Sequence, residues 1–156
     1  MKHAERHRSS YTPAQLFELV VDVERYPEFL PWVVSARIFR RKDEILWTDL
    51  TMGTALVHRR FTTIAVLDRP RLVEIKSHDP IFERFEQIWT FQPSDEGGTD
   101  IEYQVDVGLR SPLLHALMGV SFAGRAETMV NAYIRRARQL YGPARHVSHG
   151  DATRSP

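Results

Sequence analysis

The spacing of apolar residues changes period twice along the chain, from helical to alternating and back to helical. Leu16, Phe17, Leu19, Val20 and Val23 recur at intervals that place them on one face of an α-helix. The start of that helix is written in Tyr11-Thr-Pro-Ala-Gln-Leu16. Thr12 suits the N-cap, Pro13 the first helical position, and Gln15 closes a capping box. Tyr11 and Leu16 are placed for a hydrophobic staple. Pro27 and Pro31 then interrupt the stretch from Glu24 to Trp32, which predicts a short second helix or turn. Ala4 to Ser10, ahead of the first helix, reads as a strand.

From Trp32 to Leu109 the chain reads as extended. Val33–Arg40, Ile45–Met52, Ala55–Leu67, Arg71–Ser77 and Phe82–Gln92 are runs of β-branched and aromatic residues. They are separated by Arg41–Asp43, Gly53, Asp68–Pro70, Asp79-Pro80 and Ser94–Gly98. The last run alternates most cleanly. Ile101, Tyr103, Val105, Val107 and Leu109 share one face, while Asp100, Glu102, Gln104 and Asp106 share the other. That is an antiparallel strand with one face in the core and one in water. With no helical segments between them, these strands predict a meander rather than βαβ units.

Beyond Pro112 the helical period returns. Phe122, Ala126, Met129, Tyr133, Ala137 and Leu140 form a stripe, Arg125–Tyr141 is long enough for about 25 Å of helix, and Gly142-Pro143 ends it. A sheet with one apolar face must be covered, and this helix is the one element of sufficient length. The expectation is an α+β fold in one domain, residues 1–142. A curved antiparallel sheet of about six to seven strands is closed by a long C-terminal helix, with one or two short helices after the first strand. Residues 143–156 read as a disordered tail.

Composition narrows the functions. Of 156 residues, 42% are hydrophobic and 26% charged, enough apolar material for a packed core. The net charge of +1 is no footprint for wrapping nucleic acid, and no direct DNA binding is expected. Cysteine is absent, which removes disulfides, thiolate metal sites and cysteine nucleophiles. No apolar signal core follows Met1, and the longest uncharged run, Ser111–Gly124, is too short to span a bilayer yet suited to lie against one. The reading is a soluble intracellular protein.

Catalytic and metal motifs are missing. Gly119-Val-Ser-Phe-Ala-Gly124 has one residue too many for a nucleophile elbow. His3 and His7 have helical ligand spacing in a segment that reads as strand, and His58, His78 and His115 stand alone in sequence. Strands are able to bring Asp49 to His58 or Glu86 to His78, though nothing in the sequence favours either pair. No metal, no cofactor and no catalytic residue is expected. What remains is an apolar surplus in Tyr26–Trp32 and Leu113–Phe122, which serves either a core or the lining of a cavity between helix and sheet.

The stretch Tyr11-Thr-Pro-Ala-Gln-Leu-Phe-Glu-Leu-Val-Val-Asp-Val-Glu-Arg-Tyr-Pro-Glu-Phe-Leu-Pro-Trp32 resembles the N-terminal signature of the coenzyme Q-binding proteins. These belong to the START-like (polyketide cyclase/dehydrase) superfamily, together with the bacterial ribosome association toxins (RatA). Ser111–Leu114, Met129-Val130, Tyr133, Arg136-Ala137 and Leu140–Gly142 are similar to the family's closing helix, and Asp79–Phe82 with Trp89–Phe91 to its turn before a Trp-x-Phe strand. Val33 and Asp79 stand where many members carry Cys and Gly, and Val107–Leu109 is less aromatic than the family's strand end. The resemblance implies the helix-grip fold, an apolar tunnel under the last helix, binding of a polyisoprenoid quinone (ubiquinone) and support of respiratory electron transfer. For the toxin branch it implies a block on joining of ribosomal subunits.

On that basis the sheet side of the tunnel is expected from Phe61, Trp89, Tyr103, Val105 and Val107. The helix side is expected from Leu117, Met118, Phe122, Met129, Val130 and Tyr133, and the gate from Phe29, Leu30 and Trp32. Leu113, Leu114, Leu117 and Met118 are expected to dip into a membrane interface, with Arg110 meeting anionic head groups. The expected setting is the bacterial cytoplasm with peripheral contact to the inner membrane. Two other readings stay open. One is binding to the large ribosomal subunit through Arg135, Arg136 and Arg138. The other is a cyclase-type enzyme with acid–base residues in the same cavity.

Overall fold

The computed structural model describes residues 1–53, 58–112 and 129–143. Leu113, Leu114, Leu117, Met118 and Phe122, the first residues of the expected closing helix and the tail from Ala144 lie outside the described residues. Seven strands run β1 (Lys2–Ser9), β2 (Val33–Lys42), β3 (Ile45–Gly53), β4 (His58–Asp68), β5 (Leu72–Lys76), β6 (Phe82–Pro93) and β7 (Thr99–Leu109). They form one antiparallel sheet in the order β1-β7-β6-β5-β4-β3-β2. Six strands are therefore the expected meander, and β1 completes the sheet by pairing with the last of them.

Helix α1 (Pro13–Val21) begins as its sequence dictates. The Thr12 side chain accepts from the Gln15 amide at 3.2 Å, and the Gln15 side chain accepts from the Thr12 amide at 3.0 Å. A 3-10 turn follows over Val23–Glu28 with Pro27 inside it. The tighter turn suits a segment whose proline cannot donate the i→i−4 bond of a continued α-helix.

Alternation sends one face of the sheet inward. Leu46, Thr48 and Leu50 on β3, Phe61, Thr63, Ala65 and Leu67 on β4, Trp89 and Phe91 on β6, and Ile101 to Val107 at every second position on β7 are all buried. Bulges between Val33/Ser35 and Ile38/Arg40 in β2 and between Phe82/Arg84 in β6 bend these strands and help the sheet to curve. The described part of the closing helix, residues 129–141, crosses the inner face with Val130 and Ala137 fully buried. Its end is tied to α1. The Tyr11 hydroxyl donates to the Gly142 carbonyl at 2.5 Å, and the Tyr141 hydroxyl to the Gln15 carbonyl at 3.2 Å.

β1 departs from the usual pattern. His3, Glu5 and His7 face inward beside Val105, Tyr103 and Ile101 of β7, where apolar residues are the rule. The three side chains keep one another company there: His3 Nε2 and Glu5 Oε2 are buried, and the Glu5 carboxylate lies between the two imidazoles. The β6–β7 loop is held against this strand. Gly98 has φ +77°, and a Cβ built on it comes within 2.1 Å of the Ser9 carbonyl oxygen, so only glycine fits.

Candidate ligand-binding site

Between the inner face and the closing helix lies a cavity of about 50 Å³. Its described lining comes from every layer of the fold: Val23, Tyr26, Leu30, Trp32 and Val33 from the 3-10 turn and its exit, Thr48, Leu50 and Met52 from β3, Thr63 and Ala65 from β4, Ile75 from β5, Phe85 and Gln87 from β6, and Met129 and Tyr133 from the helix. No Asp, Glu, His, Lys or Arg stands among these residues.

The expected tunnel residues divide into two groups. Leu30, Trp32, Met129 and Tyr133 line the cavity. Phe29, Phe61, Trp89, Tyr103, Val105, Val107 and Val130 are not in that lining and pack around it. Trp89 lies 4.4 Å from Tyr103 and 5.0 Å from Tyr133, centroid to centroid, and Phe61 packs edge-on against Phe82 at 5.0 Å. Phe29 sits edge-on to Tyr133 at 5.2 Å, and the Arg136 guanidinium lies over the Phe29 ring at 5.3 Å. Arg110 is exposed just past β7, its amide donating to the Ile81 carbonyl.

Three buried phenols border the site. The Tyr26 hydroxyl donates to the Val20 carbonyl and the Tyr103 hydroxyl to the Met129 sulfur at 3.3 Å. Burial pushes Tyr26, Tyr103 and Tyr133 well above the ordinary phenol range, and the charge of Glu5 adds to the effect at Tyr103. At neutral pH all three are uncharged, hydrogen-bonding groups rather than bases.

The two acid–base pairs that the strands were able to form are not assembled. The Asp49 carboxylate is taken by Arg60 at 2.6 Å and Arg37 at 3.5 Å, and that of Glu86 lies 3.7 Å from Lys76. The structure instead brings together His3, Glu5 and His7, with the carboxylate 3.3 and 3.1 Å from the two imidazoles. Sequence reasoning paired the histidines and missed the glutamate, although a two-residue spacing on a strand puts all three on one face. It missed Thr48, Thr63 and Gln87 as well, because each reads as an ordinary strand residue.

A family model described as polyketide cyclase/dehydrase and lipid transport matches residues 9–134. The chain belongs to that family. The resemblance carried by Tyr11–Trp32 and the closing helix thus holds along the fold. Among relatives of the polyketide cyclase/dehydrase type, the chain is 34% identical over 132 residues to the ribosome association toxin RatA of Pseudomonas aeruginosa, covering 85% of this chain and 92% of that protein. It is 26% identical over 136 residues to the mitochondrial coenzyme Q-binding protein COQ10 of Dictyostelium discoideum, covering 85% of this chain and 66% of that one. In fold it matches the Zhui aromatase/cyclase from Streptomyces sp. R1128 with a TM-score of 0.74 at 17% identity, covering 90% of this chain and 96% of that one.

Proposed function

We propose that the protein is a non-catalytic binding protein for an isoprenoid quinone such as ubiquinone, taken up between the sheet and the closing helix. The observation that carries this reading is the cavity of about 50 Å³ whose described lining is apolar, with a few uncharged polar groups. Ligand sites of this kind run to about 300–1,000 Å³, so uptake requires the lining side chains to part. Each five-carbon isoprene unit supplies roughly 3–4 kcal/mol of transfer energy to drive that opening, against about 1 kcal/mol for a hydrogen bond to the ring. Affinity therefore comes from the tail. A cyclase needs an acid–base residue in the cavity, and the described lining offers neutral phenols alone. The relative named as a coenzyme Q-binding protein supports the choice of ligand. Exchange takes place at the inner membrane of a bacterial cell, through Arg110 and the apolar segment Leu113, Leu114, Leu117 and Met118.

The test is expression in a quinone-producing host, followed by native mass spectrometry and lipid extraction. An isoprenoid quinone bound in equal moles is the expected result; protein that carries none, and gains no thermal stability from added quinone, overturns the reading.

A second reading, association with the large ribosomal subunit, is favoured by the 34% identity to RatA and by the outer face of β2–β4. There Arg40 stacks on Trp47 at 4.5 Å, and Lys42, opposite Ile45, has no acidic partner among the described residues. Arg136 of the expected helix patch is engaged instead by Glu28 at 2.5 Å. Sedimentation with ribosomal subunits in sucrose gradients separates the two readings: co-migration that Arg40→Glu abolishes supports this one, and migration as free protein removes it.

A further inference from the structure

Five polar residues are buried among the described ones: Ser9, Thr48, Thr63, Ser77 and Thr99. Three of them have clear partners. The Ser9 hydroxyl accepts from the Tyr11 amide at 3.2 Å, Ser77 donates to the Thr62 carbonyl at 2.6 Å, and Thr99 donates to the Tyr11 carbonyl at 2.7 Å. The other two, Thr48 and Thr63, hydrogen-bond no described residue through their side chains, and they are the two that line the cavity. They stand directly opposite each other on β3 and β4, with 1% and 4% of their surfaces exposed. Gln87 on β6, half-buried between the inward-facing Phe85 and Trp89, lines the same space and is equally without a side-chain partner among the described residues.

Among the described residues the buried side-chain atoms without a hydrogen-bond partner are His3 Nε2 and Glu5 Oε2, whereas Thr48 and Thr63 border the open space of the cavity. Valine fills the shape of threonine and has high β-propensity, so packing alone gives no reason for two adjacent hydroxyls here. A ligand does.

We infer that Thr48, Thr63 and Gln87 are the head-group subsite and hydrogen-bond an uncharged ring bearing carbonyl oxygens, the polar end of the ligand lying against β3, β4 and β6. The inference rests on the apolar-ligand reading above and adds to it the chemistry of the head. Two hydroxyls and a carboxamide donate to carbonyl acceptors without needing a charge on either side. The described lining has no Lys, Arg or His to neutralise a carboxylate or phosphate, and a buried anion without a counter-charge is strongly disfavoured. The site thus selects a quinone over a fatty acid or a phospholipid.

The experiment titrates the full chain by calorimetry with decyl-benzoquinone, decylbenzene and decanoate. The wild type is expected to bind the quinone most tightly, decylbenzene at least fivefold more weakly and decanoate weakest. Thr48→Val and Thr63→Val are each expected to weaken quinone binding about fivefold, the factor that one ordinary hydrogen bond supplies, with decylbenzene affinity unchanged and thermal stability equal or higher. Thr48→Ser keeps the hydroxyl and is expected to keep the affinity. Gln87→Met, which preserves length, is expected to behave like the valine variants.

Equal binding of quinone and decylbenzene by the wild type overturns the subsite and leaves the apolar-ligand reading standing, as do valine variants that bind quinone normally. Melting temperatures that fall in both valine variants also overturn it, since the hydroxyls then hold the sheet rather than a ligand. Failure of the wild type to bind any probe overturns the ligand reading itself.

Discussion

If the space under the closing helix is kept open for a ligand, filling it should stabilise the protein and disable it together. Ala65 is the place to do so. It is buried on β4, opposite Leu46 on β3 and Ile75 on β5, and it lines the cavity. Ala65→Val adds two methyl groups, worth about 1.6 kcal/mol of transfer energy if both are fully buried. The void offers a similar figure: at about 24 cal/mol per Å³, a cavity of about 50 Å³ costs about 1 kcal/mol. Valine also suits a central strand better than alanine. The expected gain is therefore about 1 kcal/mol, a rise in Tm of about 2–4 °C for a chain of this size. Quinone affinity should drop at least tenfold, because the added methyls stand where the ligand must go. Urea denaturation and calorimetric binding on the same preparation read both effects. A variant destabilised by about 1–3 kcal/mol, the cost of overpacking a full interior, would refute the existence of usable space at this position.

The β6–β7 loop gives a paired test. Gly97 and Gly98 both have positive φ, but only Gly98 presses on Ser9; Gly97→Ala should cost about 1 kcal/mol for its backbone conformation, and Gly98→Ala more than twice as much, with loss of amide protection in β1 by hydrogen exchange. Thr12→Ala removes one half of the capping box and should lower stability by about 1 kcal/mol in urea. High pH should unfold the protein. The raised pKa values of Tyr26, Tyr103 and Tyr133 mean that the folded state holds protons the unfolded chain releases near pH 10. The stability they contribute is complete below pH 10 and is lost as pH rises above it. Absorbance of phenolate should show these three of the five tyrosines ionising only together with the unfolding transition.

The frame was legible in the sequence wherever local chemistry decides it. Thr12, Pro13 and Gln15 start α1, Ile101 to Leu109 alternate as one strand, and Met129, Tyr133 and Ala137 face the sheet. The site was less legible for a definite reason. Alternation tells which face a side chain takes but not whether it meets another side chain or a void. Tyr103 and Val105 were placed on the inner face by their spacing, and there they meet neighbours. Thr48 and Thr63 gain meaning only when β3 and β4 are put in register, which no local window of sequence reveals. The inward turn of His3, Glu5 and His7 likewise shows only once β1 is set in register with β7.

That edge has a consequence for how the protein is made. The amino group of Met1 donates to the carbonyl of Val107, a partner 106 positions later in the chain. A ribosome adding about 5–20 residues per second needs several seconds, and sometimes more than ten, to deliver β7 after β1 has emerged. Throughout that wait the first strand has nothing to pair with. An apolar segment left idle so long invites aggregation, whereas Lys-His-Ala-Glu-Arg-His-Arg-Ser remains dissolved until its partner arrives. The polarity that makes this strand hard to recognise is what lets it be synthesised first and docked last.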